Sequence, residues 1–280
     1  MTAGGPHAFA APARARGDPD GGPPRVHVES VGAGPPLVLL HGWAMHGGLF
    51  APLLPALARR FRVHVVDLPG HGHSTGVVPA TLDALVDVVA APFDAEREPL
   101  RVLGWSLGGQ VAMRWAMRAR GRISRVALVA TTPRFTAAPD WPHAMSAETL
   151  GRFSDELAGS WRSTLQRFLA LQVHGSDADR ATLATMRRHL HARGEPSRPA
   201  LTAALALLAS IDLRSVVGDV KVPSLVVAGE RDALVPAAAG TWLAAALPDA
   251  RLERIAGAAH VPFLSHRAAF DRALDPFLDG

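Results

Sequence analysis

Ser106, Asp232 and His260 occur in that order along the chain, each in or beside a glycine-bearing turn that follows a short apolar run. A serine hydroxyl is a poor nucleophile until an imidazole takes its proton, and the imidazole needs a carboxylate to fix its tautomer and stabilise its charged form. In "RVLGWSLGGQVAM", residues 101 to 113, Gly104, Ser106 and Gly108 form a G-x-S-x-G pattern between a strand-like run and a helix-like one. Small residues there let a strand reverse directly into a helix and leave the hydroxyl exposed near the helix N-terminus. Alone, such a turn also suits packing or phosphate binding, so the chemistry depends on its partners. "VVAGERDALVP" supplies Asp232 and "IAGAAHVPF" supplies His260, each just past a predicted strand. Glu230 is the alternative acid. Among thirteen histidines, His41, His46, His71 and His73 are the alternatives to His260, which is preferred for its position and chain order.

Acyl transfer through serine also needs two amides aimed at the developing oxyanion. One is assigned to Leu107, directly after the serine, and the other to the backbone of Trp43 in "HGWAMHGG". For the side chains of Trp43 and Trp105, walls of a substrate pocket and plain core aromatics both stay open.

These turns need a frame. Apolar runs at 26 to 30, 37 to 40, 63 to 66, 101 to 105, 125 to 130, 224 to 229 and 251 to 256 read as strands, with helical patterns such as 81 to 91 and 108 to 119 between later ones. The first two runs are close enough for a hairpin, and the alternation beyond them predicts a mainly parallel α/β sheet. The strand signal then vanishes between Thr132 and about Leu213, replaced by Arg- and Ala-rich helical pattern. The expected organisation is a tail at 1–24, rich in Gly, Pro and Ala and disordered, a core at 25–133 and 214–280, and a helical cap at 134–213 inserted in that core. Such an insertion serves as a lid over a ligand pocket or merely covers one end of the sheet.

Composition removes several classes of function. The 280 residues include no cysteine, which excludes thiolate catalysis, disulfides and Cys-ligated metals. No apolar run approaches the roughly 18 to 20 residues of a membrane span, and the first 24 residues lack the continuous apolar stretch of a signal peptide, so a cytoplasmic protein is expected. Net charge is only +4, carried by scattered arginine with Lys221 the sole lysine, and no long basic run points to nucleic acid. The paired histidines at 41 and 46, or 71 and 73, lack a nearby acidic cluster to complete a metal site, and the hydrolytic reading calls for neither metal nor organic cofactor. Oligomeric state is not legible in these patterns.

With "LVLLHGW", "VVDLPGHGHS", "GWSLGG", "GERDALVP" and "GAAHVPF" in order across residues 25 to 280, the chain resembles the α/β-hydrolase superfamily. Within it, "LLHGWAMH", "LGWSLGGQVA", the Trp141-Pro142 pair, "QRFLALQVHGS" and "GAAHVPFLSH" are similar to the pimeloyl-[acyl-carrier protein] methyl ester esterases of biotin synthesis. The cap segment weighs most, because lid sequences diverge between hydrolase families. The resemblance implies cleavage of the methyl ester at the far end of a pimeloyl chain on acyl-carrier protein. It also implies a pocket formed by Trp43, Ser106, Leu107 and His260 and closed by Phe168, Leu169, Ala170, Leu171 and Gln172. The chain departs from that pattern in its extra N-terminal tail and in Ser163, beside Arg162, where a cap arginine is expected.

Charge bears on the partner independently. From Ser160 to Arg193 six arginines face two aspartates, a surplus of four, and an arginine-bearing lid would steer an acidic carrier protein. Arg162, Arg167 and Arg180 are the expected contacts, although each could equally solvate an amphipathic helix. Rival readings are a generalist carboxylesterase for free small esters, a cofactor-free haloperoxidase or carbon–carbon bond hydrolase with the same triad, and a noncatalytic receptor on the same scaffold. A haloalkane dehalogenase would carry aspartate where Ser106 stands.

Overall fold

The computed structural model describes residues 23–190 and 192–280, so most of the predicted tail, residues 1–22, lies outside the described residues. Seven strands, β1 (His27–Val31), β2 (Pro36–Leu40), β3 (Arg62–Asp67), β4 (Leu100–Trp105), β5 (Ile123–Val129), β6 (Ser224–Gly229) and β7 (Ala250–Ile255), form one sheet in the order β1-β3-β2-β4-β5-β6-β7. Every neighbouring pair is parallel except β1 and β3. The expected hairpin of the first two strands does not form: β1 pairs with β3, with His27 opposite Asp67. The reason lies in their faces. "PLVLL" of β2 is apolar and buried throughout, which suits an interior position between β3 and β4, whereas "HVESV" is half-exposed and suits an edge.

Helices α1 (Leu54–Leu57), α2 (Leu82–Ala90), α3 (Leu107–Arg118), α7 (Ala237–Ala246), α8 (Pro262–Ser265) and α9 (Arg267–Asp279) connect or follow the strands. Between β5 and β6 run α4 (Ala147–Val173), α5 (Asp179–Leu190) and α6 (Arg198–Ser210). Serine hydroxyls start two of these: Ser146 Oγ accepts from Thr149 N, and Ser197 Oγ accepts from Ala200 N. α4 kinks at Ser160, whose φ of −140° leaves the helical range. Where the chain leaves the sheet and returns, Arg134 pairs with Asp212 at 2.7 Å. None of the helices among the described residues is long and apolar enough to cross a membrane.

The parallel arrangement brings five loops to one edge. Trp43, Ser106, Thr131, Asp232 and His260 follow the carboxyl ends of β2, β4, β5, β6 and β7 respectively, where ligand sites of open α/β sheets gather.

Candidate active site

Ser106 sits between β4 and α3 with φ 55° and ψ −118°, a left-handed conformation that a serine adopts only at a cost of about 1–3 kcal/mol. Surrounding bonds hold it there: Ser106 N donates to Val129 O at 2.9 Å, and Thr131 Oγ1 donates to Ser106 O at 2.7 Å. The flanking glycines are required by close approach. A Cβ on Gly104 would lie 2.3 Å from Gly108 O, and one on Gly108 would lie 2.3 Å from Leu40 O, so the elbow closes only without side chains at both.

The structure brings His260 and Asp232 together. Asp232 Oδ2 lies 2.7 Å from His260 Nδ1, while Asp232 Oδ1 accepts the amides of Leu234 and Val235, each at 2.9 Å. The carboxylate is therefore fixed on one oxygen and free to orient the ring with the other. His260 is held through its backbone as well, donating from N to Gln172 O at 3.0 Å and accepting at O from Trp105 Nε1 at 2.8 Å. Ser106, Asp232 and His260 are all buried. Glu230, the alternative acid, is exposed and lies 3.9 Å from Arg254.

The Trp43 turn abuts the elbow, because a Cβ on Gly42 would come within 3.0 Å of Ser106 Cβ. His41 shapes this turn. Its Nε2 accepts from Leu68 N at 2.8 Å, which leaves the proton on Nδ1 to donate to Gly42 O at 2.8 Å. Burial, reinforced by neighbouring His71, pushes the His41 pKa down to about 3, so the ring stays neutral and the bridge persists. Leu107 is the first residue of α3, and its amide is one of those a helix cannot satisfy internally.

The two tryptophans part ways. Trp105 is buried and packed on Phe263, with centroids 5.3 Å apart, and it meets His260 twice, its Nε1 donating to the backbone oxygen and its ring lying 5.7 Å from the imidazole. Trp43 faces the helices between β5 and β6: its ring meets Phe168 edge-on at 4.8 Å and Phe153 at 5.4 Å, and its Nε1 donates to Leu201 O at 3.0 Å.

In the run Phe168 to Gln172, helical periodicity divides the side chains. Leu169 and Gln172 are buried, Phe168 packs on Trp43, Ala170 is half-buried, and Leu171 is 37% exposed on the outer face. Sequence reasoning missed Gln110, one turn after Ser106 on α3, which lines a space too tight for a water molecule with Ser106, Thr131, Thr132, Phe135, Leu208 and Val235. Its spacing of four from Ser106 was the available signal.

The arginine surplus is smaller than the sequence window suggests. Arg193 is turned inward onto Asp67 and Glu29. Arg162 pairs with Glu195 at 2.6 Å and Arg167 with Glu156 at 2.5 Å, both acids lying just outside the window. Arg180 is exposed at the start of α5, beside Asp179.

Comparison with known proteins gives these features a family. The model of the α/β-hydrolase fold matches residues 35–267. A pimeloyl-[acyl-carrier protein] methyl ester esterase of Chromobacterium violaceum is 45% identical over 254 residues, covering 91% of this chain and 98% of the relative. The protein of the same name from Nitrosomonas europaea is 44% identical over 253 residues, covering 89% and 98%. Among solved structures, an esterase from Exiguobacterium antarcticum superposes with a TM-score of 0.84 over 91% of this chain and 96% of its own, at 20% identity, a likeness of fold. The chain therefore belongs to the α/β-hydrolase fold family and, within it, to the family of pimeloyl-[acyl-carrier protein] methyl ester esterases.

Proposed function

We propose that this chain is a serine esterase that hydrolyses the methyl ester of pimeloyl-[acyl-carrier protein], a step of biotin synthesis. The reading is carried by the 2.7 Å contact of His260 Nδ1 with Asp232 Oδ2 beside the strained Ser106 elbow, in a chain 45% identical to an esterase of that name. Ser106 Oγ attacks the ester carbonyl and gives its proton to His260 Nε2, while Asp232 stabilises the imidazolium. The amides of Trp43 and Leu107 receive the oxyanion. Collapse expels methoxide, which takes the proton from His260 and leaves as methanol. A water, deprotonated by the same ring, attacks the acyl-serine and frees the carboxylate, with the proton returned to Ser106.

Phe168, Leu169 and Gln172 form the lid side of the acyl pocket in this reading. The space at Ser106 is too tight to admit a water molecule, let alone an acyl chain, so the chain enters by displacing the helices packed over it, α6 with Leu208 among them. The partner is an acidic carrier protein, met by Arg162, Arg167 and Arg180, and the reaction is cytoplasmic. A generalist esterase is the second reading, favoured by the pairing of Arg162 and Arg167 with glutamates, which cancels charge that would draw a carrier. Comparing kcat/KM for the carrier-bound and the free pimeloyl methyl ester separates them: the carrier-bound form is expected to be at least tenfold better, and equal values would leave the generalist.

A further inference from the structure

The turn that carries Trp43 is tied to the segment from His189 to Leu201 at separate points. Trp43 Nε1 donates to Leu201 O at 3.0 Å. His46 Nδ1 accepts from Gly48 N at 3.1 Å, so its proton sits on Nε2, which donates to His189 O at 2.6 Å. Arg193 makes the third tie. Its guanidinium pairs with Glu29 of β1 and lies 3.3 Å from Asp67 Oδ2 at the end of β3.

Asp67 is the junction. Fully buried, it accepts Gly47 N at 2.7 Å from the loop after Trp43 and His73 N at 2.9 Å from the loop after β3. The loop lies directly beneath Arg193, since a Cβ on Gly48 would come within 2.9 Å of Arg193 Nε and 2.8 Å of the His46 ring. A carboxylate buried this completely needs a paired charge, and truncating one partner of such a pair strands the other. The pairing also reaches across 126 residues of chain, from β3 to the connection of α5 with α6.

We propose that Arg193 is a positioning residue for the oxyanion-binding turn: seated on Asp67, it joins the α5–α6 connection to the loop after Trp43, and the turn reaches working geometry only with these helices docked. The inference rests on the reading of Ser106 and Trp43 given above. Opening α4 to α6 to admit an acyl chain loosens the Trp43 amide, and re-docking restores it. Hydrolysis is thereby confined to the closed complex. Arg193 touches no reacting atom and acts through Asp67 and Gly47.

Arg193→Met and Arg193→Lys in the full chain test this, with p-nitrophenyl butyrate and pimeloyl-carrier methyl ester as substrates. The methionine variant should lose about tenfold or more in kcat on both substrates while KM changes less than about twofold, and lysine should recover part of the loss. Affinity for an alkylboronic acid, whose serine adduct mimics the tetrahedral intermediate, should fall in step with kcat. Because methionine strands the Asp67 charge, His46→Ala serves as a second variant that removes another tie without burying a lone charge. It should show a smaller loss, again in kcat, with circular dichroism and melting confirming the fold. Folded variants that keep kcat and boronate affinity within twofold of wild type, or that lose only KM, would overturn the proposal. Retained activity in Ser106→Ala would instead remove the reading beneath it.

Discussion

Asp232 and His260 are joined at 2.7 Å through Oδ2 and Nδ1, and the other oxygen of Asp232 is occupied by the amides of Leu234 and Val235. The carboxylate cannot rotate away without losing two backbone bonds, so it presents one acceptor to the ring and fixes the proton on Nδ1. Nε2 is left as the basic nitrogen.

Asp232→Asn keeps the shape of this arrangement and changes its proton inventory. The amide can present an N–H to Nδ1, favouring the wrong tautomer, and it cannot stabilise an imidazolium. A kcat loss on the order of 10³–10⁴-fold is expected with KM nearly unchanged, measured on p-nitrophenyl butyrate. Glu230→Gln, at the exposed neighbour, should leave kcat within twofold.

The elbow should tolerate no side chain at its glycines. In Gly108→Ala the new methyl would lie 2.3 Å from Leu40 O, forcing α3 away from β2, and in Gly104→Ala it would meet Gly108 O at the same distance. Both clashes are with backbone, which has no alternative rotamer. Each variant should melt several degrees below wild type, at about 2–4 °C per kcal/mol for a domain of this size, and lose esterase activity before global unfolding.

Stability should fall on mild acidification. Burial pushes His41 down to about 3 from an ordinary 6.5, and burial likewise lowers His46 and His71. Between those values the unfolded chain binds protons that the folded one refuses, so this contribution is complete above about pH 6.5 and is lost as pH drops toward 3. Burial pushes the Asp67 carboxyl up, but Arg193, His41 and the amides of His73 and Gly47 outweigh it and hold it below its ordinary 3.8. That contribution is complete above about pH 3.8 and is lost as pH falls below it. Melting curves from pH 7.5 to 4.5 should show a steady decline, whereas a constant melting temperature would contradict the neutral buried histidines.

Carrier recognition should separate from chemistry. Arg162→Glu, Arg167→Glu and Arg180→Glu combined place repulsion where an acidic partner would dock, without touching Ser106, Asp232 or His260. kcat/KM for the carrier-bound ester should drop about tenfold or more and weaken with salt in the wild type, while p-nitrophenyl ester turnover changes little. A single change at Arg167 should also remove the partner of Glu156, adding to the repulsion.

What was legible in the sequence was what local pattern encodes. The strands gave themselves away as apolar runs, and G-x-S-x-G gave the turn at Ser106, because strand periodicity and glycine are written at the positions where they act. The mispaired hairpin shows the limit. Adjacency in sequence favoured β1 with β2, but the buried faces of β2 demanded two interior neighbours, a requirement of the whole sheet. Arg193 escaped for the same reason. It reads as one more cap arginine until folding sets it against Asp67 and Glu29. The run from Phe168 to Gln172 was legible as a segment, but only its helical phase separates Leu171, turned outward, from Leu169 and Gln172.

The most direct measurement of the central claim follows methanol and carboxylate release from pimeloyl-carrier methyl ester in ¹⁸O-water, with wild type and Ser106→Ala side by side. Hydrolysis through an acyl-serine should place ¹⁸O in the new carboxylate and none in the methanol, and the alanine variant, folded by circular dichroism, should lose a thousandfold or more of the rate, on the order seen when a catalytic serine is removed. Wild-type rates in folded Ser106→Ala, or label in the methanol, would contradict it.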